Sequence, residues 1–308
     1  MKPALQLASL FHNVSHEFFV KILRAKVVTR WNMPLLDDNF AEDANDIQAY
    51  RTMLASLSEK MRIYMGFIQE PRCRHSNGKC SSFPSDQLPV YLQIYGDYLD
   101  WYSRPDYNAQ DMQKKNTMAF NLAVTLVHEH AHAVWQMRNH AIWTARVNKM
   151  TRILGAAEAG GRAYETEPYH SEDDCESELG LSWERSWFGG MFLHFNGPAG
   201  PLGVQAVTGT SWTTWQSLGE VNEPTMWEAA VETYNQFFDQ DAWAAEQVFQ
   251  QRVQEGQERK PVSGDRYRGQ LAIYLTSLKV IQTWPVYSNE YHQRFKKRLD
   301  GYRVQALM

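Results

Sequence analysis

The chain is short of cysteine. Its 308 residues include three, Cys73, Cys80 and Cys175, too few for a disulfide framework and in keeping with a reducing compartment. A single Cys73–Cys80 bridge or free thiols are the two readings left for that pair. It also lacks an apolar run that would cross a membrane, which takes about 20 residues. The long stretch without Asp, Glu, Lys or Arg, Ser186 to Gly219, holds seven glycines and two prolines. Charge of one sign is missing too: 31 Lys and Arg against 35 Asp and Glu give a net −4, which excludes a dedicated basic nucleic-acid binder. Met1 to Leu10 has no apolar signal-peptide core. Residues 1–31 carry one acid, Glu17, a faint likeness to a mitochondrial transit peptide. A cytoplasmic location ranks ahead of a mitochondrial or secreted one. Internal repeats and low-complexity linkers are absent as well.

What remains is a globular composition, 44% hydrophobic and 13% aromatic, with enough length for a large core. Apolar spacings of three and four predict helices over 43–66 (Ile47, Tyr50, Met53, Leu54, Leu57, Met61, Met65), 112–137, 225–256 and 266–283. A short charged helix is expected over 288–300, with Arg294 to Arg298 on a solvated face. Ser171, Asp173 and Asp174 read as a helix start and Gly189-Gly190 as its stop, giving a helix over 171–189. Residues 71–87 read as a loop, 89–102 as strands and 197–219 as irregular or β-like. The expected class is mainly α with a small β component. It would form one domain over 1–308, or two lobes of about 1–140 and 141–308 flanking a metal cleft.

Chemistry is carried by His128-Glu129-His130-Ala131-His132, a match to H-E-x-x-H. On a helix, residues i and i+4 share a face, so His128 and His132 can present two imidazoles to one ion. Glu129 is turned by about 100°, which sets its carboxylate beside the ion rather than on it. The motif sits in an apolar helix, Met118 to Val134, where paired histidines and an acid are costly without a compensating partner. A divalent cation is such a partner. His130 faces away from both and reads as an ordinary helix histidine.

A catalytic zinc site needs a third protein ligand. The extended pattern H-E-x-x-H-x-x-G-x-x-H is excluded, because Trp135 and Arg138 stand where Gly and His would be. Residues 158–178 hold eight acids (Glu158, Glu165, Glu167, Glu172, Asp173, Asp174, Glu176, Glu178) and one base, Arg162. Glu172, Asp173 and Asp174 read as an exposed acidic helix start. Glu178 is flanked by Leu179, Leu181 and Trp183, with Gly180 small enough for close packing on the metal helix. Glu178 is therefore the preferred ligand and Glu176 the alternative; two positions apart, a helix aims only one of them inward.

This arrangement resembles the gluzincin branch of the zincin metallopeptidases. Glu178-Leu179-Gly180, with Trp183-Glu184 and Phe188-Gly189-Gly190, is similar to uncharacterised fungal H-E-x-x-H proteins. The resemblance covers residues 115–190. It implies a zincin-like fold, one Zn2+ ion held by His128, His132 and Glu178, and Glu129 as general base toward an amide or ester carbonyl. Two features depart from the pattern: the 46-residue step from His132 to Glu178 is long, and Ser182 stands where an Asp would follow the ligand glutamate. The partner expected to orient the first histidine is thus unassigned. Candidate transition-state donors are Tyr164, Tyr169, His170, His194, Tyr267 and Arg268.

Three functions compete. The first is a metallopeptidase-like zinc hydrolase acting on a peptide or small molecule. The second is a non-proteolytic metal enzyme (cyclase, lyase or hydrolase) on a small apolar biosynthetic intermediate. The third is a metal-stabilised binding protein without turnover, against which the presence of Glu129 argues. Two histidines and a carboxylate also suit Fe(II), the lesser alternative to zinc. The aromatic residues of Ser186 to Gly219 read equally as a wall beside the metal or as a buried β-hairpin. Oligomeric state and substrate identity are not encoded in any motif.

Overall fold

The computed structural model describes residues 1–30, 33–37, 39–41, 43–66, 78–81, 90–154, 167–171, 174, 178–188, 191–194, 210–214, 225–228, 231–241, 243 and 244. The described chain is mainly helical with a small β component. In order it forms helices α1 (Lys2–Val14) and α2 (His16–Arg24), strands β1 (Val27–Arg30) and β2 (Met33–Leu36), and α3 (Ala44–Lys60). Strands β3 (Arg62–Gly66), β4 (Gly78–Ser81) and β5 (Tyr91–Tyr95) follow, then α4 (Gly96–Ser103) and the long α5 (Met112–Leu154). The described elements end with α6 (Leu179–Phe188), β6 (Met191–His194), β7 (Thr210–Thr214), β8 (Thr225–Glu228) and α7 (Val231–Gln236). No helix among the described residues is long and apolar enough to cross a membrane.

The chain divides into two compact units that interleave in sequence. One takes Met1–Ser15, Gly96–Thr125 and the described residues from Leu181 on. Its core is an aromatic hub around Phe11, whose ring meets Phe120, Trp183, Phe188, Phe237 and Trp243 at centroid separations of 5.5–6.0 Å. Edge-to-face pairs of this kind add about 0.5–1.5 kcal/mol each beyond their burial. Trp183 is fully buried, and its indole N–H donates to Ser15 Oγ at 3.0 Å. Strands β6, β7 and β8 form an antiparallel sheet in that order, with Trp212 opposite Phe192 and Trp227.

The second unit takes His16–Tyr95 and Leu126–Gly180. It holds the β1–β2 hairpin and a three-stranded sheet with β5 in the middle, parallel to β3 and antiparallel to β4. Phe19 packs on Tyr50 and His130, at 5.9 and 5.8 Å. Pro34 and Leu36 of β2 exchange backbone hydrogen bonds with Tyr169, both 2.8 Å, which pins residues 167–171 to the hairpin. The Arg138 guanidinium donates to the carbonyls of Ile22 and Ala25, closing the C-terminus of α2.

Several expected boundaries are corrected. The helix expected over 43–66 ends at Lys60, and Arg62–Gly66 is strand β3. Residue-by-residue pairing with β5 overrides the helical spacing of Met61 and Met65, because sheet formation answers to distant partners. Within 71–87, Gly78–Ser81 is a strand rather than loop. The strands expected over 89–102 give way to α4 after Tyr95. Helix α5 runs to Leu154, well past 137. Instead of a helix from 225, Thr225–Glu228 is β8, and α7 begins at Val231. The helix expected from Ser171 opens at Leu179. Asp174 is buried rather than part of an exposed helix start, and its Oδ2 accepts the amides of His170 and Ser171 at 2.8 and 2.9 Å. That is a side-chain turn, the alternative acids offer to helix initiation. The helices expected over 266–283 and 288–300, and the Arg294–Arg298 run, lie outside the described residues.

Candidate metal centre

Helix α5 carries the H-E-x-x-H residues through its buried middle: Val127, Ala131, Ala133 and Val134 are fully buried. Such all-round burial marks a core helix, and it forces the polar members of the motif to find partners. His128 and His132 lie one turn apart with ring centroids 5.2 Å from each other. Glu178, the residue before α6, meets both. Its Oε1 stands 2.5 Å from His132 Nε2 and 3.2 Å from His128 Nε2. One donor atom from each of the three lies within 4.8 Å of the others. Two donors on one tetrahedral zinc ion stand roughly 3.3 Å apart. The His128–Glu178 separation matches that spacing, and Glu178 need withdraw from His132 by less than one ångström to match it too.

Gly180 makes this approach possible. A Cβ there would stand 2.5 Å from Cγ and Nε2 of His128, inside any real contact distance. The bare backbone at Gly180 therefore brings the Glu178 segment against α5, the close packing expected of it from sequence.

A further acid completes the arrangement. Glu167 Oε1 lies 2.6 Å from His132 Nδ1, and its Oε2 accepts the Leu179 amide at 3.0 Å. No sequence signal separates Glu167 from its neighbours in the acidic run. It meets the ring edge away from Nε2, the position from which a carboxylate could orient His132 toward an ion.

Glu129 is 4% exposed. Burial raises its carboxyl above the ordinary range; His128 and His132 pull the other way, and Glu178 and Glu167 add to the rise. At His132 burial opposes the charged ring, but Glu178 and Glu167 outweigh it and lift the imidazole to about 10. Burial likewise opposes charge on Glu178, which His128 and His132 nevertheless hold well below the carboxylate range. His132 and Glu178 are thus both shifted toward their charged forms and make an ion pair, Nε2 to Oε1 at 2.5 Å. His130 is buried against Phe19, and burial lowers it to about 4, so it stays neutral.

Strand β4 delivers Cys80 to the same neighbourhood. Its free thiol is pushed well up by burial, then by the charges of Glu129 and Glu167, while a hydrogen bond with Gln136 works the other way. Sequence spacing carries no sign of this proximity.

The remaining expected site residues are placed as follows by the described backbone and rings. Tyr169 pairs with β2 through its backbone, and the His170 ring stacks on Phe18 at 4.1 Å. His194 ends β6 in the other unit. Tyr164, Glu176, Tyr267, Arg268, Cys73 and Cys175 lie outside the described residues. So do most side chains of the proposed aromatic wall; of its members, Phe188 packs in the Phe11 hub.

The donor set, two neutral-nitrogen ligands and one carboxylate with an acid alongside, fits a divalent ion of the zinc class and also Fe(II). Comparison of the chain with family models, with curated proteins and with solved structures finds no match.

Proposed function

We propose that this chain is a zinc-dependent hydrolase of the metallopeptidase type, acting on an amide or ester carbonyl. The observation that carries the reading is the convergence of His128, His132 and Glu178 beside a buried Glu129. A structural ion needs no acid next to its ligands, whereas hydrolysis does. A bound zinc ion would supply Lewis-acid polarisation of the carbonyl and acidify water. Glu129 takes a proton from the attacking water and passes it to the leaving group. Its raised proton affinity moves it toward the range in which a carboxylate works as a base near neutral pH. The zincin resemblance of residues 115–190 supports the same assignment.

Elemental analysis of purified protein, read together with hydrolysis of a panel of peptides, amides and esters, tests the reading. About one zinc per chain is expected, with turnover of at least one panel member. Protein that takes up no divalent ion, or that takes up zinc and leaves every panel member intact, overturns it.

A further inference from the structure

The geometry points to Glu167 as a positioning residue that locks the two metal-bearing segments to each other through one carboxylate. This rests on the proposed metal centre. Two donors converge on the group: the His132 ring N–H at Nδ1, 2.6 Å from Oε1, and the Leu179 amide, 3.0 Å from Oε2. The first belongs to α5 and fixes the ring that carries one ligand atom. The second is the first amide of α6, one of the helix-start donors that has no partner within the helix, and it adjoins the Glu178 ligand. Only a carboxylate serves both. It offers acceptors on two oxygens, whereas an amide of the same shape has one acceptor and must turn its NH2 toward the other donor.

The ring consequence is specific. With Nδ1 donating to Glu167, Nε2 is the nitrogen left for the ion, and Nε2 is the atom that faces Glu178. A carboxylate behind a ligand histidine sets its tautomer and orientation in this way.

Glu167 is itself held. Tyr169, two residues on, exchanges backbone hydrogen bonds with Pro34 and Leu36 of β2. Lys21 Nζ donates to the His170 carbonyl at 2.7 Å, and the His170 ring stacks on Phe18. The amides of His170 and Ser171 are tied to Asp174. The β1–β2 hairpin and α2 thus set where Glu167 stands, and Glu167 sets His132 and the start of α6. Ser182 leaves the expected oriented carboxylate missing after the ligand glutamate; Glu167 supplies one from before it, and to the second histidine.

The test compares full-length wild type with Glu167→Gln, Glu167→Asp and Glu167→Ala. Zn2+ affinity is read by competition with a chromophoric chelator, ligand geometry by the visible bands of the Co2+-loaded protein, and the α6 link by hydrogen exchange at the Leu179 amide. Glu167→Gln is expected to weaken Zn2+ binding about 10–100-fold, to shift the Co2+ bands and to speed Leu179 exchange. Glu167→Asp, which keeps two acceptors, is expected to recover part of each. Should Glu167→Ala not fold, the isosteric Glu167→Gln carries the comparison. Wild-type protein without Zn2+ uptake overturns both this inference and the hydrolase reading. Wild type that binds Zn2+ while Glu167→Gln matches it in affinity, bands and exchange overturns this inference alone.

Discussion

Gly180 lies against the imidazole of His128 so closely that no side chain fits between them; a Cβ would stand 2.5 Å from the ring's Cγ and Nε2. At an ordinary helix position Gly→Ala stabilises by about 1 kcal/mol. Here the added carbon must displace the ring, and overpacking of this kind costs about 1–3 kcal/mol. Gly180→Ala is therefore expected to reduce the thermal stability of the protein and to weaken Zn2+ binding at least about tenfold, as for other losses of ligand orientation. Calorimetric melting and chelator competition read the two effects. A variant with raised melting temperature and unchanged affinity contradicts the close approach.

Glu129 separates a metal site from a metal enzyme. It is buried within the fields of His128, His132, Glu178 and Glu167, yet it is not among the three converging donors. Glu129→Gln keeps the shape and removes the base. Zinc content is expected to stay at the wild-type level while kcat falls about 10²–10⁴-fold, the usual worth of a general acid–base group. Loss of zinc in this variant would assign Glu129 to binding instead. Full activity would remove it from the mechanism.

How far these residues can be read from sequence depends on how local their geometry is. His128, Glu129 and His132 lie within one helical turn, so periodicity alone brings them together. Glu178 required a tertiary argument, and Gly180 supplied it, since a bare backbone among apolar neighbours signals close approach. Glu167 has no such signal. It sits in a run of acids, and its position follows from Tyr169 pairing with β2, more than 130 residues away in the chain. Strand pairing likewise hid β3 and β8. Arg62–Gly66 satisfies a helical spacing until β5 offers it a ladder, and Thr225–Glu228 is a strand because β7 lies beside it.

Arg138 occupies the position where the extended zincin pattern would place a third histidine. Its guanidinium bonds the carbonyls of Ile22 and Ala25 and lies over the Trp135 ring, 5.3 Å from its centroid. Arg138→Met keeps the aliphatic stem and strips the donors, leaving carbonyls at the end of α2 without them. A loss of about 1–3 kcal/mol is expected from such unmet groups, read as a lower urea midpoint with unchanged slope. Zinc affinity measured below the transition should remain at wild-type level, because the lost donors serve α2 and not the ion. A tenfold or larger loss of affinity would instead make Arg138 part of the site.

Proton release accompanies metal uptake if His132 is what the charges around it dictate. Burial works against its cationic form, but Glu178 and Glu167 raise the ring to about 10. At neutral pH His132 then carries a proton on the nitrogen facing Glu178, and an ion must displace it. A group that must deprotonate to bind makes affinity rise with pH below its own pKa, by one decade per unit for one proton. Zn2+ affinity, corrected for buffer and hydroxide competition, is expected to climb about tenfold per unit between about pH 6 and 8. Titration calorimetry in buffers of different ionisation enthalpy should return close to one proton released per ion bound. Glu167→Gln takes away one of the two carboxylates that hold the proton, so its slope should flatten at lower pH than in wild type. An affinity independent of pH over that range would mean that His132 is already neutral, and that the Glu178–His132 contact is not the ion pair described.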